Sequence, residues 1–276
     1  MSLFICPICG APLRRVNTSY KCNKNHTFDI SKEGYVNLLP VNKKHSKTPG
    51  DDKEMAQARN AFLSTGAYAP LRDALCRLAL KYAPTSCVML DCGCGEGYYT
   101  AAVYNALKEN GHDIRAAGFD ISKFILKYAA KREREMEFAV ASSYHIPLSD
   151  NSCDILINCF SPLALEEFSR ILRDGGVFFY VVPARDHLWE LKQVLYDEPY
   201  ENEEKETPYE GFSYEEIVPV RARFTLDNKT DIENLFKMTP YYWKTPKEGA
   251  ERLRALSSIE ITSSFNIHIF KKGDKI

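Results

Sequence analysis

The stretch VMLDCGCGEGYYT at residues 88–100 constrains the fold of this chain more than any other feature. An apolar run that ends at Asp91 leads into a GxGxG turn, and a sequence that suits a helix follows it. Gly93, Gly95 and Gly97 permit backbone conformations and close approaches that a side chain would forbid. The stretch therefore predicts a strand, a ligand-contacting turn and a helix, and it indicates an enzyme with a nucleoside-bearing cofactor.

The residues around this turn distinguish between two such cofactors. The dinucleotide pattern GxGxxG requires a third glycine where Tyr98 stands, which disfavours NAD. A second acid, Asp120, ends the next apolar run, where its carboxylate can accept hydrogen bonds from both ribose hydroxyls. Asp91 and Asp120 after two strands favour S-adenosylmethionine, with the glycine turn facing its amino-acid end. An ordinary glycine-rich turn without a ligand is the alternative.

The cysteines and histidine near the N-terminus have the spacing of a metal site. Cys6 and Cys9 form a CxxC pair, and Cys22 and His26 follow after twelve intervening residues. Three thiolates and one imidazole are the tetrahedral ligand set that Zn²⁺ prefers in a closed structural site. The main alternative is a redox CxxC motif, but such a motif would not account for the second pair, Cys22 and His26. The other alternative is a set of unrelated buried cysteines. We predict a zinc site whose metal is required for this segment to fold.

Charge is distributed unevenly along the 276 residues. The net charge is −1, but residues 1–50 carry eight Lys and Arg against Asp29 and Glu33, so this end is about +6 and the remainder about −7. The overall balance gives no evidence for nucleic-acid binding, whereas the basic end is where a phosphate backbone would dock. A solvated basic face is the alternative interpretation.

The order of predicted elements indicates two folded regions. Residues 1–41 are predicted to form a zinc ribbon with strands near 13–21, 27–30 and 34–38, residues 42–53 a polar linker, and residues 54–276 the larger domain. In that domain, helices at 54–64 and 70–82 precede alternating strands and helices. The pattern predicts an α/β fold, a doubly wound and mostly parallel sheet that binds ligands at the carboxyl ends of its strands. The strands are expected at residues 88–90, 114–119, 137–141, 153–158 and 177–182, and the helices between them at 99–108, 123–132 and 163–172.

Three further segments have distinctive composition. Residues 197–210 are strongly acidic and are predicted to form a solvated insertion that can act as a lid. Residues 259–269 alternate in polarity, which predicts a strand in which His268 is a hydrogen-bonded structural residue. No apolar run approaches the ~20 residues that span a bilayer, and no leader pattern is present, so we expect a cytoplasmic protein without membrane contact. We expect six cysteines to be small, buried and reduced: Cys76, Cys87, Cys92, Cys94, Cys153 and Cys159.

Several motifs occur together in one order along the chain. They are the cysteine–histidine cluster, KEGYVNLLP at residues 32–40, PGD at 49–51, GAY at 66–68, LDCGCGEGYYT at 90–100 and FNIH at 265–268. In these motifs the chain resembles the RlmA family of bacterial 23S ribosomal RNA guanine-N(1) methyltransferases. The resemblance covers nearly the whole chain and is weakest in the acidic segment.

The resemblance implies a Rossmann-like class I methyltransferase fold with an N-terminal zinc ribbon held by Cys6, Cys9, Cys22 and His26. It implies transfer of a methyl group from S-adenosylmethionine to ring nitrogen one of a guanine in a 23S rRNA hairpin loop, by a homodimer. It further implies that the methyl donor is bound by four residues: Tyr68, Gly95, Glu96 and His187.

Two positions depart from patterns common among methyltransferases. Ser142 stands where many of them carry an Asp for the adenine amino group, and we take its hydroxyl and the Ser143 amide as candidates instead. The fourth strand ends in NCFSP at residues 158–162, without the (Asn/Asp)-Pro-Pro-aromatic motif of enzymes that methylate exocyclic amines, which suits a ring-nitrogen target. The predicted donor-binding set is Tyr68, Asp91, Gly93, Gly95, Glu96, Gly97, Asp120, Ser142, Ser143 and His187.

The sequence assigns no catalytic base, and two other functions stay open. One is a methyltransferase that acts on tRNA, a protein or a small molecule, with the ribbon as a protein contact. The other is a non-catalytic zinc module that binds RNA and uses the cofactor fold as a sensor.

Overall fold

A computed structural model describes residues 1–40, 50–204 and 209–273. It contains a small three-stranded sheet and a large eight-stranded sheet covered by helices. The strands are β1 (Arg14–Val16), β2 (Ser19–Lys21), β3 (Thr27–Asp29), β4 (Tyr35–Asn37), β5 (Ser86–Cys92), β6 (Asp113–Asp120), β7 (Glu137–Val140), β8 (Cys153–Cys159), β9 (Leu172–Pro183), β10 (Phe212–Leu226) and β11 (Ile259–Lys272). The helices are α1 (Lys53–Ser64), α2 (Ala69–Tyr82), α3 (Tyr98–Glu109), α4 (Lys123–Arg132), α5 (Leu165–Ile171), α6 (Trp189–Leu195), α7 (Lys229–Met238) and α8 (Lys247–Ala255), with a 3₁₀ helix at Pro240–Trp243.

The large sheet has the strand order β10-β11-β9-β8-β5-β6-β7-β4. Strands β4 to β9 pair in parallel, and β11 is antiparallel to both β9 and β10. The chain moves from β5 outward to β7 on one side, then returns to β8 and moves outward on the other. This reversal beside β5 creates a crevice at the carboxyl ends of the strands, where open α/β sheets bind ligands. The predicted doubly wound, mostly parallel fold is confirmed.

The predicted ribbon is confirmed except for its last strand. The segment predicted at residues 13–21 forms a hairpin of β1 and β2 with its turn at Asn17 and Thr18, and β3 pairs with β2. The strand expected at residues 34–38, observed as β4, keeps one antiparallel bridge to the ribbon, between Val36 and Ile30, but its continuous pairing is parallel to β7 at the edge of the large sheet. Val36 is fully buried in the same apolar cluster as Leu90 and Ala139, so burial against the large sheet favours this pairing.

Contacts tie the ribbon closely to the large sheet. The backbone N–H of Ile5 donates to the carbonyl of Pro147 at 2.9 Å, and the Tyr20 hydroxyl donates to Glu137 at 3.1 Å. The ribbon residues Phe4 and Leu13 are buried in the cluster that fills one face of the sheet. The ribbon therefore shares an apolar core with the larger region, and the domain boundaries at residues 41 and 53 stay a prediction.

The predicted linker ends in ordered contacts. Residues 42–49 lie outside the described residues, whereas Asp52 caps α1 by accepting a hydrogen bond from the Met55 N–H at 2.9 Å. The Ser122 hydroxyl donates to the carbonyl of Asp51, and a Cβ on Gly50 would lie 2.8 Å from Ile121. The end of the linker is thus packed against the connection between β6 and α4.

Several smaller expectations can be compared with the structure. His268 is buried and its Nδ1 lies 3.1 Å from the Tyr214 hydroxyl, so it is hydrogen-bonded as predicted. The six cysteines outside the ribbon are unpaired, and all except the half-buried Cys76 are buried. In the acidic segment, residues 205–208 lie outside the described residues and its action as a lid stays a prediction. Among the helices that the structure describes, none is long and apolar enough to cross a membrane.

Candidate functional site

The four predicted metal ligands converge within the ribbon. The Sγ atoms of Cys6, Cys9 and Cys22 and a ring nitrogen of His26 all lie within 4.8 Å of one another. Each pair sits on a tight turn: Gly10 N–H donates to the Cys6 carbonyl at 2.8 Å, and the Cys22 N–H donates to the His26 carbonyl at 3.1 Å. The turns aim all four ligand atoms at a common centre.

The spacing of these atoms fits a tetrahedral zinc ion. Bonds of ~2.3 Å to sulfur and ~2.0 Å to nitrogen place the ligand atoms of such an ion ~3.5–3.8 Å apart. Cys9 Sγ lies 3.8 Å from Cys22 Sγ, and His26 Nδ1 lies 3.4 Å from the Sγ atoms of both Cys6 and Cys22. The four residues fit a closed structural Zn²⁺ site, with Nδ1 as the imidazole ligand atom.

A cavity of about 940 Å³ opens at the carboxyl ends of the parallel strands, beside the reversal at β5. Its floor is formed where β5 to β9 end, and its walls come from α1, from the start of α2 and from residues 238–241. The volume lies within the ~300–1,000 Å³ range of ligand pockets. Nine of the ten predicted donor-binding residues line it: Tyr68, Asp91, Gly93, Gly95, Glu96, Asp120, Ser142, Ser143 and His187.

Gly97 is the exception, because it does not line the cavity. Its φ is +77°, and a Cβ there would lie 3.0 Å from Ala129 Cα in α4, so this glycine permits close packing between helices. Gly93, with a φ of +79°, lines the cavity and also packs against Ser161, whose Cβ would be 2.5 Å from a Cβ at position 93. The turn thus combines ligand contact at Gly93 and Gly95 with packing at Gly97.

Three carboxylates surround the glycine turn. Asp91 and Glu96 are each only 1% exposed, and burial raises the pKa of both to about 7. Thr100 donates to Oδ2 of Asp91 and Arg132 donates to Oε2 of Glu96, whereas Asp91 Oδ1 and Glu96 Oε1 have no hydrogen-bond partner among the described residues. Buried acceptors without partners are costly, so these two atoms point to a missing donor group from a ligand.

Asp120 is held by the backbone that surrounds it. The N–H groups of Gly95 and Ser122 donate to its two carboxylate oxygens at 3.1 and 2.8 Å. Burial raises the pKa of Asp120 to about 6. Each oxygen keeps a second lone pair, which suits acceptance of two ribose hydroxyls.

These acids discriminate between cofactors. A dinucleotide pyrophosphate binds at the N-terminus of the helix that follows the glycine turn, where Glu96 stands here. A buried carboxylate at that point would repel a phosphate and attract a sulfonium or ammonium group. The donor set fits S-adenosylmethionine and does not fit NAD.

His187 and Tyr68 pack together on one wall of the cavity. Their ring centroids lie 6.2 Å apart, and both rings contact Phe265, at 4.4 and 5.1 Å. Burial and, to a lesser degree, nearby Lys192 lower the pKa of His187 to about 3, so the ring is neutral at physiological pH. The Ser264 N–H donates to Nδ1 at 3.2 Å, which leaves the proton on Nε2 and makes it the donor that the ring offers a ligand.

Ser142 and Ser143 lie just beyond the end of β7. The Ser142 hydroxyl accepts a hydrogen bond from the Tyr144 N–H at 3.3 Å, and its carbonyl accepts one from the His145 N–H at 3.0 Å. This turn faces the same cavity as Asp120 at the end of the neighbouring strand.

Arg59, which was not among the predicted site residues, is the only Lys or Arg among the described residues that line the cavity. Its Nε and Nη2 pair with Asp51 at 2.7 and 3.3 Å, and Nη2 also donates to the Met238 carbonyl at 3.0 Å. Nη1 has no hydrogen-bond partner within the described ranges. Arg59 follows Met55 by one helical turn on the apolar face of α1. A cation on the apolar face of a helix is unusual, and this was the sequence signal that could have identified Arg59 as a site residue.

Two exposed aromatic residues that line the cavity were also missed, Phe160 and Tyr144. Phe160 adopts a left-handed backbone conformation with a φ of +58°, which a sequence pattern without glycine does not indicate.

Comparisons with known proteins identify the family of this chain. A family model described as the N-terminal zinc ribbon of RlmA matches residues 4–47, and one described as a methyltransferase domain matches residues 85–237. The chain is 34% identical over 272 residues to the 23S rRNA (guanine(748)-N(1))-methyltransferase of Streptomyces fradiae, covering 94% of this chain and 93% of the relative. It is also 34% identical, over 98% of both chains, to YxjB of Bacillus subtilis, which is named provisionally as a 23S rRNA (guanine-N(1)-)-methyltransferase.

Among solved structures, the YcgJ protein of Bacillus subtilis has a TM-score of 0.53 at 14% identity, covering 74% of this chain and 99% of that one, a likeness of fold alone. The full-length relatives, the matched ribbon and the acid-lined cavity lead to one assignment. The chain belongs to the RlmA-type family of 23S rRNA (guanine-N(1)-)-methyltransferases, and it is an S-adenosylmethionine-dependent methyltransferase with an N-terminal zinc ribbon.

Proposed function

We propose that this protein transfers a methyl group from S-adenosylmethionine to ring nitrogen one of a guanine in a hairpin loop of 23S rRNA. The observation that carries the proposal is a single cavity in which carboxylates suited to the donor stand beside exposed aromatic side chains suited to a nucleobase. Two relatives named as 23S rRNA guanine-N(1) methyltransferases match the chain over 93–98% of their length, which supports 23S rRNA as the acceptor.

The nucleoside part of the donor is assigned to the ends of β6 and β7. Asp120 accepts hydrogen bonds from the two ribose hydroxyls through the lone pairs that Gly95 and Ser122 leave available. The Ser142 hydroxyl and the Ser143 amide bind the adenine edge, since both residues line the cavity on the side of Asp120.

The amino-acid part of the donor is assigned to the glycine turn. Asp91 Oδ1 and Glu96 Oε1 lack hydrogen-bond partners among the described residues, and they suit the ammonium group and the positive sulfonium. Arg59 also approaches the turn, since a Cβ on Gly95 would lie 4.0 Å from Arg59 Cδ. Its Nη1 donates to the donor carboxylate, and the wall of Tyr68 and His187 excludes water from this end.

The ribbon is assigned to the RNA. Its basic side chains Arg14, Arg15, Lys24 and Lys32 are exposed, as phosphate contacts require. Lys21 is half-buried, and the other three basic residues of this end, at positions 43, 44 and 47, lie outside the described residues. A homodimer that holds the rRNA hairpin and a cytoplasmic location, with the cysteines reduced, complete the proposal.

The chemistry divides between positioning and proton removal. S-adenosylmethionine supplies an activated methyl group, so the protein has mainly to orient the acceptor for in-line attack. Ring nitrogen one of neutral guanine carries a proton, which a base or a site favouring the deprotonated ring must remove. The target guanine also has to unstack from its neighbours in the RNA, and this costs less free energy in a hairpin loop than in a helix.

The test is methyl transfer from labelled S-adenosylmethionine to an unmodified 23S rRNA transcript, followed by mass spectrometry of RNase fragments and nucleosides. We expect label in 23S rRNA and 1-methylguanosine as the product. Label in tRNA or protein but none in 23S rRNA would overturn the acceptor assignment, and RNA binding without any transfer would indicate a non-catalytic module.

A variant pair tests the donor assignment. Asp120→Asn replaces one charged carboxylate oxygen by an N–H donor, so one charged hydrogen bond to the ribose is lost; donor binding is expected to weaken by roughly 10–100-fold, from ~1.5–3 kcal/mol for such a bond. Asp227→Asn, at an exposed position outside the cavity, is the matched control and is expected to bind the donor normally. Calorimetry that finds equal affinities for the two variants would contradict the assignment.

A further inference from the structure

Phe160 is placed in a way that folding alone does not explain. It follows β8 directly, adopts a φ of +58°, and leaves 46% of its surface exposed to the cavity that it lines. A left-handed conformation is costly for a bulky residue and is kept only where surrounding structure enforces it. A residue held under strain with little burial in return suggests a functional constraint.

The surroundings fix the Phe160 backbone from both sides. Its N–H donates to the Val181 carbonyl at 3.4 Å, and the buried Asn158 side chain donates through Nδ2 to the Pro162 carbonyl at 3.2 Å. Ser161 packs so closely on Gly93 that the glycine has no room for a Cβ. The loop is therefore clamped between the end of β9 and the donor turn.

The Phe160 ring has an aromatic neighbour and a large exposed surface. Its centroid lies 5.5 Å from that of Phe265 at an interplanar angle of 45°, and no other ring contact of Phe160 occurs among the described residues. Tyr144, which is 61% exposed, lines the same cavity from the segment after β7. Exposed aromatic surface beside the donor turn is what an unstacked base requires.

We propose that Phe160 is the stacking platform for the acceptor base, a purine of an unpaired nucleotide, and that it positions this base against the methyl donor. Because Ser161 contacts Gly93 of the donor turn, the ring stands next to the site of transfer. The exposed surface of the ring replaces the stacking that the base loses on leaving the RNA helix, and a flat aromatic surface also restricts the tilt of the base. This inference rests on the proposed rRNA function.

The test compares Phe160→Leu and Phe160→Trp with the wild-type protein, using the unmodified 23S rRNA transcript as acceptor. Leu keeps an apolar side chain but cannot stack on a base. We therefore expect kcat/KM for RNA to fall by roughly 10–100-fold, which is the size of the effect that loss of one base–aromatic stack has on binding. Trp keeps a stacking surface and is expected to retain at least a third of the activity. Calorimetric affinity for S-adenosylmethionine should be unchanged in both variants.

Trp243→Leu is the matched control, because Trp243 is 65% exposed and lies outside the cavity. Its kcat/KM is expected to equal that of the wild-type protein. Three results would each overturn the stacking role. They are full activity of Phe160→Leu, an activity of Phe160→Trp as low as that of Phe160→Leu, and a loss of donor affinity in parallel with the loss of activity. If the wild-type protein transfers no methyl group to 23S rRNA, the proposed function itself fails, and that result is distinguishable from the others.

Discussion

Substitution of Gly93 by Ala separates two physical reasons for a glycine in the donor turn. The first is conformational: a φ of +79° is accessible to Ala only at a cost of ~1–2 kcal/mol. The second is steric, because the new Cβ would lie 2.4 Å from Ser161 Oγ and 2.5 Å from Ser161 Cβ. Overpacking of this kind costs ~1–3 kcal/mol, so Gly93→Ala is expected to lower the free energy of unfolding by ~2–5 kcal/mol.

The steric part can be removed without changing the conformational part. In a Ser161→Gly background the nearest remaining atom of residue 161 is its Cα at 3.8 Å, which is an ordinary contact. In this background, Gly93→Ala should lower the free energy of unfolding only by the backbone strain of ~1–2 kcal/mol. Ser161→Ala keeps the Cβ at 2.5 Å and is expected to give little relief, which makes it the matched control.

The assay is urea unfolding of the zinc-loaded protein, with the free energy in water taken by linear extrapolation. A double-mutant cycle should give a favourable coupling of ~1–3 kcal/mol between Gly93→Ala and Ser161→Gly. A coupling below ~0.5 kcal/mol, which is the usual error for independent sites, would refute the steric argument. Equal relief by Ser161→Ala and Ser161→Gly would refute it as well.

Three further predictions concern the metal, the buried acids and the donor carboxylate. Chelation should release zinc equimolar with the chain and abolish hydrogen-exchange protection in β1 to β3, whereas β5 should stay protected because it also packs on a second apolar cluster that includes no residue of β1 to β3. Uniform loss of protection, or no loss, would contradict this. The folded pKa of Asp91, about 7, lies above its unfolded value of ~3.9, so its contribution to stability is present below pH ~4 and lost as the pH rises through 7. Asp91→Asn should therefore lose less unfolding free energy than the wild-type protein between pH 5 and pH 8, and an identical pH slope in urea titrations would argue against the burial of this charge. Arg59→Gln should weaken S-adenosylmethionine binding by roughly 10–100-fold but leave decarboxylated S-adenosylmethionine nearly unaffected. Equal weakening of both ligands in calorimetry would assign Arg59 a purely structural role.

The large sheet was predictable because its signals are local. Strands buried on both faces of a parallel sheet appear as short apolar runs, and the glycine turn marks where the first of them ends. The same rule placed Asp91 and Asp120 at neighbouring strand ends, where the structure finds them. The metal ligands were predictable because the geometry of zinc fixes their number and type.

What escaped prediction depends on contacts between distant parts of the chain. Pairing of β4 with β7 joins segments about a hundred residues apart, and nothing in residues 35–37 distinguishes that partner from the ribbon. Arg59 owes its place in the cavity to Asp51 and to the carbonyl of Met238. Phe160 owes its conformation to a loop clamped by Asn158 and Gly93, and no propensity of its own would place it there.

Strand β4 attaches the ribbon to the large sheet through its pairing with β7, and β7 ends just before Ser142 and Ser143 in the cavity. The hydrogen bond from Ile5 to Pro147 and the buried side chains of Phe4 and Leu13 form a second attachment. Substitutions that disturb the apolar contacts between ribbon and sheet are therefore expected to affect donor binding through β7, even where they contact neither the metal ligands nor the cavity.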